Sequence, residues 1–403
     1  MQNSMQTQSK GKYNIKKEVF NIILLLILVS AYSLPLGGTP VYSIVVIILL
    51  LYEINLIRNN KTHINKIWLF FIIAAFLSIC ININEIEPFF KPIQRFCILL
   101  CVLIVASPLL WNWKLLLFRE KIFFYSIYAF IFISFLSFIG YFFGYGIWKN
   151  GQLTGFTDFP NSLGLLSSIS AVYILSYLDQ FKGLKIIIPI SLITILIWII
   201  ISSGTRTSLI TIAVSFLFYL YLKSKSLIKI ILICILTITS GIIISKYITF
   251  NTEFIEGKMQ DQEENGNSRT GLFRARMLEF NDSPIWGIGT FRVNKKYWPV
   301  NTKTGTVEGG NSFLIILSMM GLIGFSLFAI GYLKIVIPFL RYILKRAGKN
   351  LTNNEIFLFL LTISNFIVMQ QTAITLNAGS YQTFYTWLSI SIIYSYNKKH
   401  LII

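Results

Sequence analysis

Hydrophobic positions in this chain fall into long apolar runs that are separated by short polar links. Many runs approach the roughly 20 residues that cross a bilayer as a helix. We draw twelve spans in chain order, at about 19–36, 41–57, 67–83, 93–111, 122–143, 162–178, 186–202, 207–222, 230–245, 312–333, 355–376 and 383–396. The pattern predicts an all-α polytopic integral membrane protein with about twelve transmembrane helices.

The longest apolar run, residues 186–222, must fold back on itself. As one helix it would be about 55 Å long, whereas the hydrocarbon core of a bilayer is about 30 Å thick. Its one polar interruption is Ser202–Thr207, so we place a turn there. Arg206 then lies at the membrane edge, because an arginine at the bilayer centre costs at least about 2.5–3.5 kcal/mol.

Composition agrees with a membrane protein: 55% of the residues are hydrophobic and the mean hydropathy is +0.69. The net charge of +19 does not indicate nucleic-acid binding, because the basic residues are spread over the links between apolar runs. That distribution fixes membrane orientation, with lysine-rich links in the cytoplasm. We therefore expect both termini to be cytoplasmic. We also expect three regions: spans 1 to 9 in 1–245, a large extracytoplasmic loop in 246–311, and spans 10 to 12 in 312–403.

The large loop carries half of the carboxylates of the chain and several arginines. Within it, Asn267 and Ser268 predict the start of a helix that runs to about Phe280. Arg269, Phe273, Arg276 and Phe280 would form a basic and aromatic stripe on a helix lying at the bilayer surface. Arg269 and the free amides of the first turn would suit a diphosphate.

Other polar positions at the same side could serve structure or function. Pro160-Asn161 enters span six, where Asn161 could also cap the helix. Gly287-Ile288-Gly289 indicates close backbone approach to a neighbour or a ligand. Asn311 leads into a span with Gly321, Gly324 and Gly331, a pattern typical of close helix packing in lipid. Arg95 is an intramembrane arginine that Glu85 or Glu87 could pair with, and Glu308 could act as a general base.

These motifs, in this order, resemble the O-antigen ligase and O-antigen polymerase superfamily of bacterial polytopic membrane proteins. The resemblance covers about residues 151–333 and rests on an ordered set: Pro160-Asn161, Ser203-Gly204-Thr205-Arg206-Thr207, the Arg269 helix, Pro284-Ile285-Trp286-Gly287-Ile288-Gly289, and Asn311 with Gly321 and Gly324. Each motif is weak by itself, and the set is fairly specific.

The resemblance implies a metal-independent glycosyltransferase of the bacterial cytoplasmic (inner) membrane, with no cofactor. Its donor would be an oligosaccharide on undecaprenyl diphosphate, and membrane lipids and a chain-length regulator would be further partners. It implies catalytic roles for Arg206 and Arg269 at the diphosphate. The resemblance supplies no base at Glu308, which is our own candidate for that catalytic role from its position at the membrane surface. Substrate binding would involve the residues Arg95, Asn161, Arg276, Gly289 and Asn311.

One departure from the family pattern bears on the subtype. Ligases carry a histidine directly before the asparagine of the Asn311 motif, whereas this chain has Gly310 there. Its two histidines, His63 and His400, fall in cytoplasmic links. We therefore expect a polymerase of O-antigen or capsular repeat units. The alternatives are a ligase that transfers glycan to lipid A core or another acceptor, and a multi-span transporter or flippase.

Overall fold

A computed structural model describes residues 39–58, 60–82, 90–147, 151–157, 159–224, 268–294, 296–297, 310–377 and 379–400. This part of the chain contains eleven α-helices, two short strands and two single-turn 3₁₀ helices. In chain order the elements are α1 Thr39–Arg58, β1 His63–Ile64, α2 Lys66–Ile81, α3 Phe90–Ala106, β2 Leu110–Trp111, α4 Trp113–Phe142, α5 Pro160–Ser176, the 3₁₀ turns Leu178–Gln180 and Gly183–Ile186, α6 Ile187–Ser202, α7 Arg206–Ser224, α8 Ser268–Asp282, α9 Ser312–Lys345, α10 Asn353–Gln371 and α11 Tyr381–His400.

The helical segments follow the apolar pattern, and the fold is helical as predicted, apart from the two-residue strands β1 and β2. Among the described residues, four helices are long and apolar enough to cross a membrane: Trp113–Phe142, Gly183–Ser202, Arg206–Ser224 and Ser312–Lys345. The predicted turn after Ser202 is confirmed, since α6 ends there and α7 begins at Arg206. Predicted spans 19–36 and 230–245 lie outside the described residues, as does the loop segment 246–267. The count of twelve and the placement of the loop therefore stay predictions.

The lysine-rich links between helices contact one another at one end of the helices, which we call the lysine-rich end. There β1 pairs with β2 in antiparallel register and His63 stacks on Trp111. Ion pairs join further links at this end: Lys223 with Asp179, Lys399 with Glu120 at 2.6 Å, and Arg346 with Glu355 at 2.5 Å. The links that the sequence assigned to one side of the membrane are thus neighbours in space.

The remaining links meet at the other end of the helices, which we call the opposite end. The turn after α4 folds onto the segment before α5, with the Thr154 amide donating to the Gly146 carbonyl at 2.7 Å. The Leu153 amide donates to the carbonyl of Ser202, the last residue of α6, at 2.9 Å. Ser312 Oγ, at the start of α9, donates to the Thr372 carbonyl at 2.6 Å. The ends of α4, α6 and α10 and the starts of α5, α7 and α9 therefore share this end.

An aromatic cluster joins α2, α9 and α11 in the middle of the fold. The ring of Trp68 meets those of Trp387 and Phe71 edge-on at centroid distances of 4.9 and 5.9 Å, and Phe328 completes the cluster. Edge-to-face arrangement is the favoured geometry for such rings. Gly331 allows this approach, because an added Cβ would lie 2.9 Å from the Trp68 ring.

The predicted spans 93–111 and 122–143 leave Arg119 in the link between them, which is wrong. It lies inside α4 with a fully buried side chain beside the equally buried Glu53 of α1, with Nε 3.3 Å from Oε1. Arg119 also donates to the carbonyls of Ile104 and Val105 at 2.7 Å. Those carbonyls belong to the last turn of α3, where no intrahelical donor is available. The guanidinium of Arg119 therefore caps the end of α3 and neutralises the buried carboxylate of Glu53.

Candidate functional site

The centre of the candidate site is a break in α9. Asn311 caps the helix, its Oδ1 accepting hydrogen bonds from the amides of Phe313 at 2.8 Å and Leu314 at 3.1 Å. Ten residues later Gly321 leaves helical geometry, with φ 64° and ψ −166°, a combination that essentially only glycine adopts. The spacing between Asn311 and Gly321 is thus the length of one short helical segment.

The segment 283–290 fills the break by backbone hydrogen bonds. The amides of Ile288 and Gly289 donate to the carbonyls of Ser318 and Met319 at 3.0 and 3.2 Å. In return, the Leu322 amide donates to the Pro284 carbonyl at 2.8 Å. Broken helices persist at membrane depth only where neighbours satisfy the freed backbone groups. The segment supplies those partners from both sides of the break.

Two glycines permit this approach. A Cβ on Gly287 would lie 2.3 Å from the Met319 carbonyl carbon, and one on Gly321 would lie 2.2 Å from the Ile285 carbonyl oxygen. The predicted close approach at Gly287-Ile288-Gly289 is confirmed, and the neighbour is the backbone of α9. The expectation that Gly321 serves ordinary helix packing is wrong, because it is the break itself.

Helix α2 holds the segment from its other side. Ser78 Oγ donates to the Met319 carbonyl at 2.6 Å, and Asn82 Nδ2 donates to the Gly287 carbonyl at 3.1 Å. Thr290 Oγ1 donates to the Ala75 carbonyl at 2.9 Å. Sequence reasoning missed Ser78 and Asn82, because an isolated serine or asparagine at a helix end carries no local sign of such a distant partner.

Helix α8 begins at Ser268 as predicted and packs along α9. Its Arg276 is buried and makes an ion pair with the buried Glu279, with Nη1 2.8 Å from Oε2. Arg276 Nη1 also lies 3.3 Å from Ser318 Oγ, next to the break. Glu279 Oε1 accepts a hydrogen bond from the Asn294 amide at 2.8 Å. Burial lowers the pKa of the Arg276 guanidinium, and the Glu279 carboxylate acts against that shift.

The predicted orientation of the α8 stripe is therefore wrong at Arg276, which faces the protein and not lipid headgroups. Its nearest partners are a carboxylate and a serine of the same chain. Arg274, on the other hand, is exposed. The sequence could not show which of these arginines is buried, because an arginine on a helix can pair with a lipid headgroup or with a buried carboxylate equally well.

Arg206 is the first residue of α7, and its side chain is exposed. The preceding Thr205 packs against the start of α5 so closely that a Cβ on Gly164 would lie 2.0 Å from Thr205 Oγ1. Asn161, also exposed, lies in the first turn of that helix. It does not cap α5, since Phe159 occupies the capping position and Pro160 the first turn. The structure thus brings Arg206 and Asn161 to one corner of the opposite end.

The start of α8 lies at the same end as Arg206. Ser215 Oγ of α7 is 3.1 Å from Ser364 Oγ of α10. Measured along each helix axis from this contact, Arg206 of α7 and the last residue of α10 both lie about 10–14 Å away. The end of α10 contacts Ser312, through the Ile374 amide at 2.9 Å. Gly310, two residues earlier, is adjacent to α8, because a Cβ there would lie 3.7 Å from Leu272 Cβ.

The remaining predicted site residues lie in different places. Gly289 is enclosed by protein, and its amide already donates to Met319. Arg95 is exposed on α3, which packs against α1, α2 and α11, away from α7. Arg269 lies in the first turn of α8, whereas Glu308, Glu85 and Glu87 lie outside the described residues. Arg206, Asn161, Asn311 and the Arg269 turn therefore lie at the opposite end of the helices, and Arg276 and Gly289 are buried beside the break in α9.

Both histidines of the chain are at the lysine-rich end. His63 stacks on Trp111 and His400 on Tyr396, with centroid distances of 4.7 and 4.3 Å. Gly310 has φ 72°, a left-handed conformation that residues with a Cβ rarely adopt. No imidazole is thus present beside Asn311.

The fold and this site define a multi-pass helical membrane protein. The break in α9 and the segment 283–290 lie at the same end of the helices as the starts of α7 and α8, which carry Arg206 and Arg269. Residues 190–329 match the Wzy_C family model, which is described as O-antigen ligase. The matched region runs from α6 through the α7 turn and α8 to the far side of the α9 break. The match supports the O-antigen ligase and polymerase superfamily and does not distinguish its branches. No curated protein matches the chain.

Proposed function

We propose that this protein is a polymerase of lipid-linked oligosaccharide repeat units. It would transfer a growing glycan from its undecaprenyl diphosphate carrier to the next repeat unit at the outer face of the cytoplasmic membrane. The observation that carries the choice of polymerase over ligase is Gly310 before Asn311, with both histidines at the other end of the helices. A ligase that depends on a histidine beside this asparagine would lack its base.

Arg206 and Arg269 are the proposed diphosphate ligands. Guanidinium groups match phosphate oxygens with two parallel hydrogen bonds, and they stabilise the charge that develops on a departing diphosphate. Arg206 is exposed, as a residue that receives a ligand must be. Both residues also lie in the first turn of a helix, where free amides and the helix dipole favour anions.

Glycosyl transfer also needs a group that removes the proton of the acceptor hydroxyl. Two described carboxylates near the site already have partners: Glu279 binds Arg276, and Asp282 accepts a hydrogen bond from Tyr297 at 2.9 Å. We propose Glu308 as the base, because it lies two residues before Gly310 in the sequence. Asn161 would contact the sugars or the second lipid carrier, whereas the position of Arg95 on α3, away from α7, does not favour a contact with the same substrate.

A gene deletion in the native host separates the two branches. Loss of a polymerase leaves single repeat units attached to the final acceptor, whereas loss of a ligase leaves no glycan there. Polysaccharide gels of the deletion strain therefore test the proposal directly. A bare acceptor would contradict it and favour a ligase.

Purified protein in vesicles with lipid-linked repeat units provides the biochemical test. We expect products of two or more repeats on one carrier, with release of free undecaprenyl diphosphate. Movement of intact repeats across the vesicle membrane without elongation would contradict the proposal and favour a flippase.

A further inference from the structure

A cavity lies at the lysine-rich end, away from the site described above. Its volume is about 130 Å³, and its walls come from the start of α2, from α9 and from α11. A single water needs roughly 10–15 Å³ measured in this way, so the cavity can receive a chemical group much larger than water. The residues that carry its chemistry are Asn65, Lys334, Asn397 and Lys398.

The cavity favours an anion. Lys334 and Lys398 contribute two positive charges, and none of the residues that line it is acidic. The Lys398 ammonium lies over the rings of Trp111 and Tyr394, 5.1 and 5.6 Å from their centroids, at the edge of the cavity. Asn65, another wall residue, caps α2, so the positive end of that helix dipole is directed at the cavity.

Two buried polar groups, one in the cavity wall and one behind it, have no hydrogen-bond partner among the described residues. Asn397 is 2% exposed, and its Nδ2 donates to the Ile335 carbonyl at 2.7 Å. That bond fixes the amide orientation and leaves Oδ1 as an unsatisfied acceptor. Behind the wall residue Gly331, the ring of Trp68 carries an unsatisfied Nε1 donor. Buried polar groups without partners are uncommon in native proteins, so a ligand or water is expected beside Asn397, which lines the cavity.

The surroundings of the cavity are apolar and open to lipid. Ile67 and Ile335 complete its walls. On the outer surface of α9, Ile330 and Leu333 are 49% and 47% exposed, directly beside Lys334. Phe70, on the neighbouring α2, is 54% exposed. Such a surface suits acyl chains that descend from a headgroup held at the helix ends.

We propose that this cavity binds the headgroup of an anionic phospholipid of the phosphatidylglycerol type. The phosphate would lie between Lys334, Lys398 and the start of α2, and a headgroup hydroxyl would donate to Asn397 Oδ1. Basic cavities between helices at the cytoplasmic surface bind anionic headgroups in this way. A zwitterionic headgroup fits less well, because its ammonium group would face the two lysines. The inference does not depend on the proposed enzymatic activity.

Native mass spectrometry of the purified full chain tests the inference. Phosphatidylglycerol and phosphatidylcholine with identical acyl chains compete for the protein at equal concentrations. We expect wild type to retain one phosphatidylglycerol in preference to phosphatidylcholine. The double variant Lys334→Ala/Lys398→Ala should bind it about thirtyfold more weakly, from the usual contribution of a lysine to binding an anionic lipid.

The matched control is Lys345→Ala/Lys349→Ala, which removes two exposed lysines from the same end outside the cavity. It should keep the affinity of wild type, and equal weakening in both double variants would overturn the inference. Lys334→Gln provides a single change at an exposed position, for which a moderate loss of affinity is expected with an unchanged melting temperature in lipid-free detergent. A further arm uses soluble glycerol 3-phosphate. If it raises the melting temperature as much as the lipid does at equal concentration, the lipid assignment is wrong.

Discussion

Gly321 meets Ile285 through backbone atoms alone, at a separation that leaves no room for a side chain: an added Cβ would lie 2.2 Å from the Ile285 carbonyl oxygen. The contact joins the segment 283–290 to the break in α9. Because Gly321 also has φ 64° and ψ −166°, two independent constraints require glycine at this position. The contact explains why the residue at position 321, ten residues after Asn311, is a glycine.

The change Gly321→Ala should therefore destabilise the protein strongly. Backbone strain alone costs about 1–3 kcal/mol in this conformation, and the clash with Ile285 adds to it. Gly144→Ala is the matched control, because Gly144 also has a positive φ of 70° but nothing within 4 Å of the added Cβ. Thermal unfolding in detergent should show a clearly larger loss for Gly321→Ala. Equal losses would mean that the segment does not dock as described.

Substitutions of Asn311 separate a helix cap from a sugar ligand. Asn311→Ala should cost about 1 kcal/mol, because the amides of Phe313 and Leu314 lose their acceptor. Asn311→Ser should restore most of that stability, since serine caps helices nearly as well. If Asn311 only caps α9, Asn311→Ser also restores glycan chain length on gels. Restored stability with short chains would instead assign it a role in substrate binding.

The buried pair of Arg276 and Glu279 predicts asymmetric effects on stability. Arg276→Met alone leaves the Glu279 carboxylate buried without its cation, at a cost of about 3–5 kcal/mol. Arg276→Met/Glu279→Leu removes both charges and should recover much of that loss. Denaturant unfolding measures both variants. Activity of the double variant then decides the predicted substrate role, because a purely structural arginine is dispensable once its partner is gone.

Arg206→Ala should abolish elongation while leaving stability unchanged, because the side chain is exposed and makes no hydrogen bond or ion pair with the described residues. Arg206→Lys should retain partial activity, since lysine keeps the charge but loses the bidentate geometry. Arg274→Ala removes another exposed arginine near the site and should elongate normally. Normal chain length in Arg206→Ala, with the protein present in the membrane, would contradict the proposed diphosphate site.

Much of the fold follows from the sequence by itself. Long apolar runs predict helices that contact lipid or the protein core. The run 186–222 is too long for one membrane-spanning helix, so it required a turn at its polar interruption. Asn267 and Ser268 likewise marked the start of α8 at Ser268. These features depend on a few neighbouring residues, and the energetic terms that fix them act over one or two helical turns.

Tertiary structure alone decided what the polar residues do. The sequence could not assign Arg119 to Glu53 or Ser78 to the carbonyl of Met319, since each pair depends on which helices are neighbours. Arg276 and Glu279 are three residues apart on α8, and the packing of that helix decided that both are buried. It also could not show that Gly321 breaks a helix, because a glycine in an apolar run suits close packing and a break equally well. The physical reason is that a buried charge or a freed backbone group is satisfied by whatever lies beside it in space, and distant segments of the chain supply those partners.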